Sequence, residues 1–173
     1  MDKVNDHYLQ INSDYIGCVD DTCLATGELL PVKDTPFDFN KRKRIGQDLE
    51  ADHIQLKNAF GYDHSFVLNG TENQLTLEEP VSGRRLIIST TAPVVQVYTG
   101  NFLKDGCIGK AGRVYENREG VALETQLMPN AINTEENPST ILRKGDKFES
   151  NTKYVFEIMS VSYTHLRAHE SDQ

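Results

Sequence analysis

The chain has 173 residues and a formal net charge of −8, with 38% hydrophobic and 25% charged residues. This length allows one domain with a substantial core, and the acidic balance argues against nucleic acid as a partner, because phosphate binding requires a basic surface. No run approaches the ~18 apolar residues that span a bilayer, and the N-terminus lacks the apolar region of a signal peptide. We therefore expect a cytoplasmic protein without a membrane partner.

The three cysteines, Cys18, Cys23 and Cys107, do not form a Cys-x-x-Cys pair. An odd number of cysteines without that spacing disfavours both a disulfide framework and a zinc site. We predict free thiols in a reducing cytosol.

The middle of the chain carries a basic run followed by the only clear helical pattern. We interpret the run Lys41–Arg44 as a solvated loop, since no aromatic residue accompanies it. Beyond it, four residues recur at roughly helical spacing: Ile45, Leu49, Asp52 and Leu56. The spacing predicts one short helix before Gly61.

From residue 65 onward, short alternating segments are separated by turn residues. The segments Ser65–Leu68, Gln74–Glu78 and Arg85–Thr90 are joined by Asn69-Gly70 and Ser82-Gly83, whose glycines supply the positive φ of tight hairpins. This pattern predicts an antiparallel meander.

Three later segments are rich in the β-branched and aromatic residues that favour strands: Val94–Tyr98, Val121–Gln126 and Lys153–Ile158. Between the last two, the polar segment Pro129–Pro138 predicts a long ordered loop. The fold class is therefore all-β, and a β-sandwich is the expected architecture.

The last residues break this pattern. His165 and His169 have the i, i+4 spacing of metal ligands on a helix, but no third ligand accompanies them, so we predict no metal site. We expect the native fold to occupy residues 1–160 and the tail 161–173 to be non-native.

Three polar residues stand within otherwise apolar or glycine-bearing segments. Asp63 lies between Tyr62 and His64, and a carboxylate beside aromatic rings suits a sugar, whose hydroxyls it binds while a ring covers an apolar face. Gln96 is a lone amide on an apolar strand and needs partners if it is buried. Glu124, expected among apolar neighbours on a central strand, would suit proton transfer if it were enclosed.

Each of these residues also has a purely structural explanation. Asp63 could cap a turn, Gln96 could face solvent on an edge strand, and Glu124 could be the outward half of an alternating strand. Composition and periodicity alone lead only to a soluble all-β domain.

The order of several blocks adds to this interpretation. They resemble, in sequence, the aldose 1-epimerase (galactose mutarotase) family: Leu9–Asp14, Thr26–Glu28, Thr35–Phe39, Gly61–Leu68, Val95–Leu103, Leu123–Gln126 and Pro138–Gly145. The resemblance covers residues 5 to 158 and implies a large β-sandwich that interconverts the α and β anomers of a free hexose such as galactose or glucose.

The resemblance also implies roles for the three polar residues. Glu124 matches the general base that takes the proton from the anomeric hydroxyl, Asp63 matches the carboxylate that binds sugar hydroxyls, and Gln96 matches a polar substrate contact. The implied chemistry uses general acid and base catalysis without metal or organic cofactor.

The chain departs from the family pattern in one respect. The family's acid histidine lies in an Asn-His-x-Tyr-Phe-Asn type motif that is absent from this sequence, so the chain resembles the C-terminal half of such an enzyme. His64 is interpreted as a packing or orienting residue. A non-catalytic carbohydrate-binding module, a truncated product without function and an epimerase of hexose 6-phosphates stay open as alternatives.

Overall fold

A computed structural model of the chain describes residues 3–104, 108–134 and 140–159. Cys107, part of the predicted loop Pro129–Pro138, the pair His165 and His169, and the predicted non-native tail lie outside the described residues.

Strands dominate the described part of the chain. Their bounds are β1 Tyr8–Ile11, β2 Ser13–Val19, β3 Ala25–Pro31, β4 Lys43–Arg44, β5 Asp63–Leu68, β6 Leu75–Glu79, β7 Arg84–Thr90, β8 Val94–Tyr98, β9 Ala122–Gln126 and β10 Thr152–Ile158. Strands were predicted for β5 to β10, and β8 has the predicted bounds. No sequence pattern was assigned to β1, β2 and β3.

Helical structure is short. Among the described residues, one α-helix, α1, spans Ile54–Asn58, and 3-10 turns span Val4–Asp6, Ile45–Gln47 and Ala131–Asn133. The predicted short helix before Gly61 therefore exists, although regular α-helix begins only at its end. Within the described ranges, no helix has the length and apolar character needed to cross a bilayer.

The strands form two five-stranded sheets, in the orders β10-β7-β6-β1-β4 and β3-β2-β5-β8-β9, and every named strand pair is antiparallel. A shared core joins them: Leu9, Ile11, Leu75 and Ile88 come from the first sheet, and Ile16, Phe66, Val95 and Val97 from the second. The all-β sandwich prediction is confirmed.

The predicted meander is only partly right. β6 and β7 form the expected hairpin, and Gly70 and Gly83 have φ of 72° and 73°. However, β5 pairs with β2 and β8 in the other sheet, so Asn69-Gly70 belongs to a crossover between sheets rather than to a hairpin. Alternation shows that a segment is a strand, but two sheets that share one core present the same alternation.

The interpretation of Lys41–Arg44 as a solvated loop is only partly right: Lys41 and Arg42 are exposed and lie outside any strand. Lys43–Arg44 forms the edge strand β4 against β1, and Arg42 Nε lies 2.5 Å from the carboxylate of Glu78, whose side chain is 5% exposed. A buried carboxylate requires a cation. Glu78 lies 36 residues after Arg42 in the sequence, so only the fold shows that the two residues meet.

Two phenylalanines from the loop before β4 complete the core. Phe37 and Phe39 are fully buried, and both meet the ring of Tyr62 edge to face, at centroid distances of 5.5 Å and 5.2 Å. The Tyr62 hydroxyl donates a hydrogen bond to the Pro36 carbonyl, 2.9 Å away. These contacts fix the loop against the start of β5, the strand that carries Asp63.

Candidate functional site

Three neighbouring strands of the second sheet bring the predicted site residues together. In the pairing of β5, β8 and β9, Ser65 lies opposite Gln96 and Gln96 lies opposite Glu124. Residues directly opposite one another point to the same face of a sheet, and Asp63, two positions before Ser65, shares that face.

The intervening residues point the other way, into the core. His64, Val97 and Leu123 form the next row across the same strands, and the first two are completely buried. Strand alternation thus separates an apolar inner row from a polar outer row.

The outer row borders a hollow of about 410 Å³. Its lining consists of Asp63, Gln96, Tyr98, Phe102, Glu124, Gln126 and Pro129. All three predicted site residues therefore line one hollow.

A short hydrogen-bond chain orders the base of the hollow. The Ser65 hydroxyl donates to Gln96 Oε1, and Gln96 Nε2 donates to Asp63 Oδ1 at 2.7 Å. Gln96 is half-buried, and these two residues supply the partners expected for its amide.

Asp63 is half-buried, and its surroundings act on its charge in opposite directions. Burial raises the pKa of the Asp63 carboxyl above its ordinary value, and the hydrogen bond from Gln96 partly offsets this by stabilising the charged form. The carboxylate is a hydrogen-bond acceptor for any ligand that enters the hollow.

Glu124 differs from the expectation in two ways. Among the described strands, β9 lies at an edge of its sheet rather than at the centre, and Glu124 is exposed. A run of apolar and β-branched residues indicates a strand but does not determine its place in the sheet. Glu124 lies on the outward face, as the alternating-strand explanation has it, and that face is the one that borders the hollow.

The aromatic residues expected beside Asp63 are not in the hollow. Tyr62 is completely buried in the core, because its position next to Asp63 in an alternating strand directs it to the opposite side. His64, the other neighbour, is buried for the same reason. The aromatic lining consists instead of Tyr98 and Phe102; Tyr98 could have been found from the sequence, since it lies two positions after Gln96 on the same face.

His64 has the surroundings of a packing residue. Its ring meets Phe37 edge to face at 4.7 Å, and Nδ1 accepts a hydrogen bond from the backbone N–H of Asp63. Burial lowers the pKa of His64 to about 3, so the imidazole is neutral at physiological pH.

Cys18 and Cys23 are free thiols, and burial raises the pKa of each. Over residues 3–104, 108–134 and 140–159, no group of three or more His, Cys, Asp or Glu side chains is arranged to hold a metal ion.

Fold and hollow together define a class: a β-sandwich with two carboxylates, two amides and two aromatic side chains around an open depression, which suits a small polyhydroxylated ligand. Residues 2–155 match the aldose 1-epimerase family. The chain belongs to the aldose 1-epimerase family.

Individual relatives agree with this assignment. Human galactose mutarotase is 38% identical over 159 residues, which cover 90% of this chain and 45% of that protein. The crystal structure of an aldose epimerase homologue from C. elegans superposes with a TM-score of 0.81 at 30% identity, over 91% of this chain and 47% of the other. The structure of galactose 1-epimerase from Lactobacillus acidophilus gives 0.69 at 31% identity, over 90% and 45%. The chain thus spans about half the length of these relatives.

Proposed function

We propose that this chain contributes the sugar-binding hollow and the general base of an aldose 1-epimerase that acts on a free hexose such as galactose or glucose. The observation that carries the proposal is the convergence of Asp63, Gln96 and Glu124 on one hollow. Family membership and the names of the relatives support the reaction type.

In this proposal, each residue has a role that its chemistry permits. Glu124, exposed at the hollow, takes the proton from the anomeric hydroxyl. Asp63 accepts hydrogen bonds from sugar hydroxyls, and Gln96 contributes an amide contact. The exposed ring of Phe102 offers an apolar surface to a sugar face.

The reaction also requires an acid to protonate the ring oxygen, after which the ring opens, the C1–C2 bond rotates and the ring closes on the other face. None of the described histidines lines the hollow. We propose that the acid histidine is supplied by a part of an epimerase-length polypeptide outside this sequence, and that the chain corresponds to the C-terminal half. The cytoplasmic location expected from the sequence stays a prediction.

Loss of a general acid removes a factor of order 10²–10⁴ in rate, so we expect the chain alone to have little or no mutarotase activity. Polarimetry of fresh α-D-galactose tests this, with Glu124→Gln as the site variant and Glu72→Gln, at an exposed position between β5 and β6, as the matched control. A rate well above buffer that Glu124→Gln abolishes and Glu72→Gln preserves would contradict the assignment of the acid to residues outside the chain. It would support Glu124 as the base.

A second candidate is a carbohydrate-binding module without catalysis, favoured by the exposure of Glu124 at a sheet edge. NMR of the anomeric signals measures both galactose binding and anomer exchange. Saturable binding without enhanced exchange would support this candidate, provided that exchange stays slow when the proposed acid-bearing part of an epimerase-length polypeptide is added. An epimerase of hexose 6-phosphates is not favoured, because the described lining of the hollow contains neither lysine nor arginine.

A further inference from the structure

Ser65 lies directly behind the hollow. Ser65 is 3% exposed. It borders a separate cavity of about 70 Å³, which Gly17, Cys18, Gln96 and Met128 also line. It does not border the 410 Å³ hollow, so a ligand there would not contact it.

The hydroxyl of Ser65 nevertheless determines what a ligand would meet. An amide side chain can present either its oxygen or its NH2 group at a given position. The Ser65 hydroxyl donates to Oε1, which directs the NH2 group of Gln96 towards Asp63. The reverse orientation would direct Oε1 at a carboxylate oxygen, which only accepts hydrogen bonds, so Asp63 selects the end of the amide that faces it. The Ser65 hydroxyl holds the opposite end of the same amide in place.

We propose that Ser65 is a positioning residue that anchors the Gln96 amide against Asp63, so that an N–H donor and the free carboxylate oxygen of Asp63 lie side by side as a subsite for two neighbouring hydroxyls of a sugar. In the part of the chain that the structure describes, the Asp63 side chain accepts one hydrogen bond, from Gln96 to Oδ1. Oδ2 and the second amide hydrogen are thus available to a ligand.

A hydroxyl is both a donor and an acceptor, so adjacent acceptor and donor groups match a vicinal pair of hydroxyls. The identity of the ligand as a sugar rests on the proposed function. The anchoring of the amide by Ser65 does not, and the two can be tested separately.

The test compares Ser65→Thr with Ser65→Val in the full chain. These variants have the same branched shape, and only threonine retains a hydroxyl, so any cost of the added methyl group is shared. Ser65→Ala serves as a smaller alternative if the branched side chains prevent folding. The measurement is the titration of the Asp63 carboxyl carbon by NMR, together with the side-chain NH2 signals of Gln96, without sugar.

We expect Ser65→Val to raise the pKa of Asp63 relative to Ser65→Thr, because the amide no longer donates a fixed hydrogen bond to the charged form. When each substitution is combined with Gln96→Met, the pKa of Asp63 should be the same in the valine and threonine variants, because no amide is then present for residue 65 to hold. Glu124, Tyr98, Cys23 and His64, the other titratable groups near Asp63, are unchanged throughout.

The same pKa of Asp63 in the valine and threonine variants would overturn the proposal. A pKa difference between these two variants that remains in the Gln96→Met background would also overturn it. In a second step, D-galactose should bind the valine variant roughly three- to ten-fold more weakly than the threonine variant, as expected for one hydrogen bond. If neither variant nor the unaltered chain binds galactose while the titration differs as expected, the sugar assignment fails and the positioning role of Ser65 stands.

Discussion

Substitution of Tyr62 by phenylalanine tests how the loop before β4 is fixed to the site strand. The change removes one hydroxyl and keeps the ring that packs against Phe37 and Phe39. The lost interaction is the hydrogen bond from the Tyr62 hydroxyl to the Pro36 carbonyl.

The magnitude follows from the second donor to that carbonyl. Lys43 Nζ lies 2.7 Å from the same Pro36 oxygen, so Tyr62→Phe does not leave the acceptor unsatisfied. We therefore expect a loss of about 1 kcal/mol in the free energy of unfolding, typical of one net hydrogen bond, rather than the up to ~3 kcal/mol of an orphaned group. Removing both donors, in Tyr62→Phe with Lys43→Met, should cost about 1 kcal/mol more than the two single effects summed.

Urea unfolding measures these differences. With m between about 1 and 3 kcal/mol/M, Tyr62→Phe should lower the midpoint by roughly 0.3–1 M. Burial holds the pKa of Tyr62 well above the ordinary tyrosine value, so its hydroxyl stays protonated and the effect should be the same at neutral and mildly alkaline pH. A loss above ~3 kcal/mol in the free energy of unfolding of Tyr62→Phe would refute this account of the Pro36 carbonyl. A double variant whose loss equals the sum of the two single losses would also refute it.

The remaining predictions concern two glycines and the buried His64. Gly61→Ala should destabilise the fold by at least ~2 kcal/mol in urea unfolding, because Gly61 has φ of 136° and a Cβ there would lie 2.5 Å from Arg118 Nη1 and 2.8 Å from Asn101 Oδ1. Gly70→Ala, at φ of 72° with no atom within 4 Å, should cost only about 1 kcal/mol, and equal losses at the two sites would contradict the role of this contact. The pKa of His64 is lowered from 6.5 to about 3 on folding, so the unfolded chain binds more protons between these values and stability falls as the pH decreases below 6.5. By pH 5 this contribution is about 2 kcal/mol, and an unchanged pH slope in His64→Leu would show that another group is responsible.

The sequence predicted β5 to β10 because strand character depends on local pattern, whereas the site residues were predicted from the order of the blocks that resemble the family. Ser82-Gly83 marked the hairpin between β6 and β7, and the position of Gln96 within an apolar strand indicated a residue with specific partners. Once β5, β8 and β9 are adjacent, the two-residue period of a strand is sufficient to bring Asp63, Gln96 and Glu124 to one face.

The rest depended on contacts between distant residues. The sequence gives no sign that β5 pairs with β2 rather than with β6, since either partner buries Phe66. The same alternation that directs Asp63 outward directs Tyr62 into the core, so adjacency in sequence was a poor guide to which ring lines the hollow. Likewise, the ion pair between Arg42 and Glu78 was not predicted, because the two residues are far apart in sequence.

The most direct test of the sugar-binding hollow is a titration of the isotope-labelled full chain with D-galactose, followed by NMR. We predict saturable shifts concentrated at the Gln96 side-chain amide, the Asp63 carboxyl and Glu124, greatly weakened in Asp63→Ala and not reproduced by sorbitol, which has no ring. Shifts confined to other surfaces, or galactose binding that Asp63→Ala leaves unchanged, would contradict the assignment of this hollow as a saccharide site.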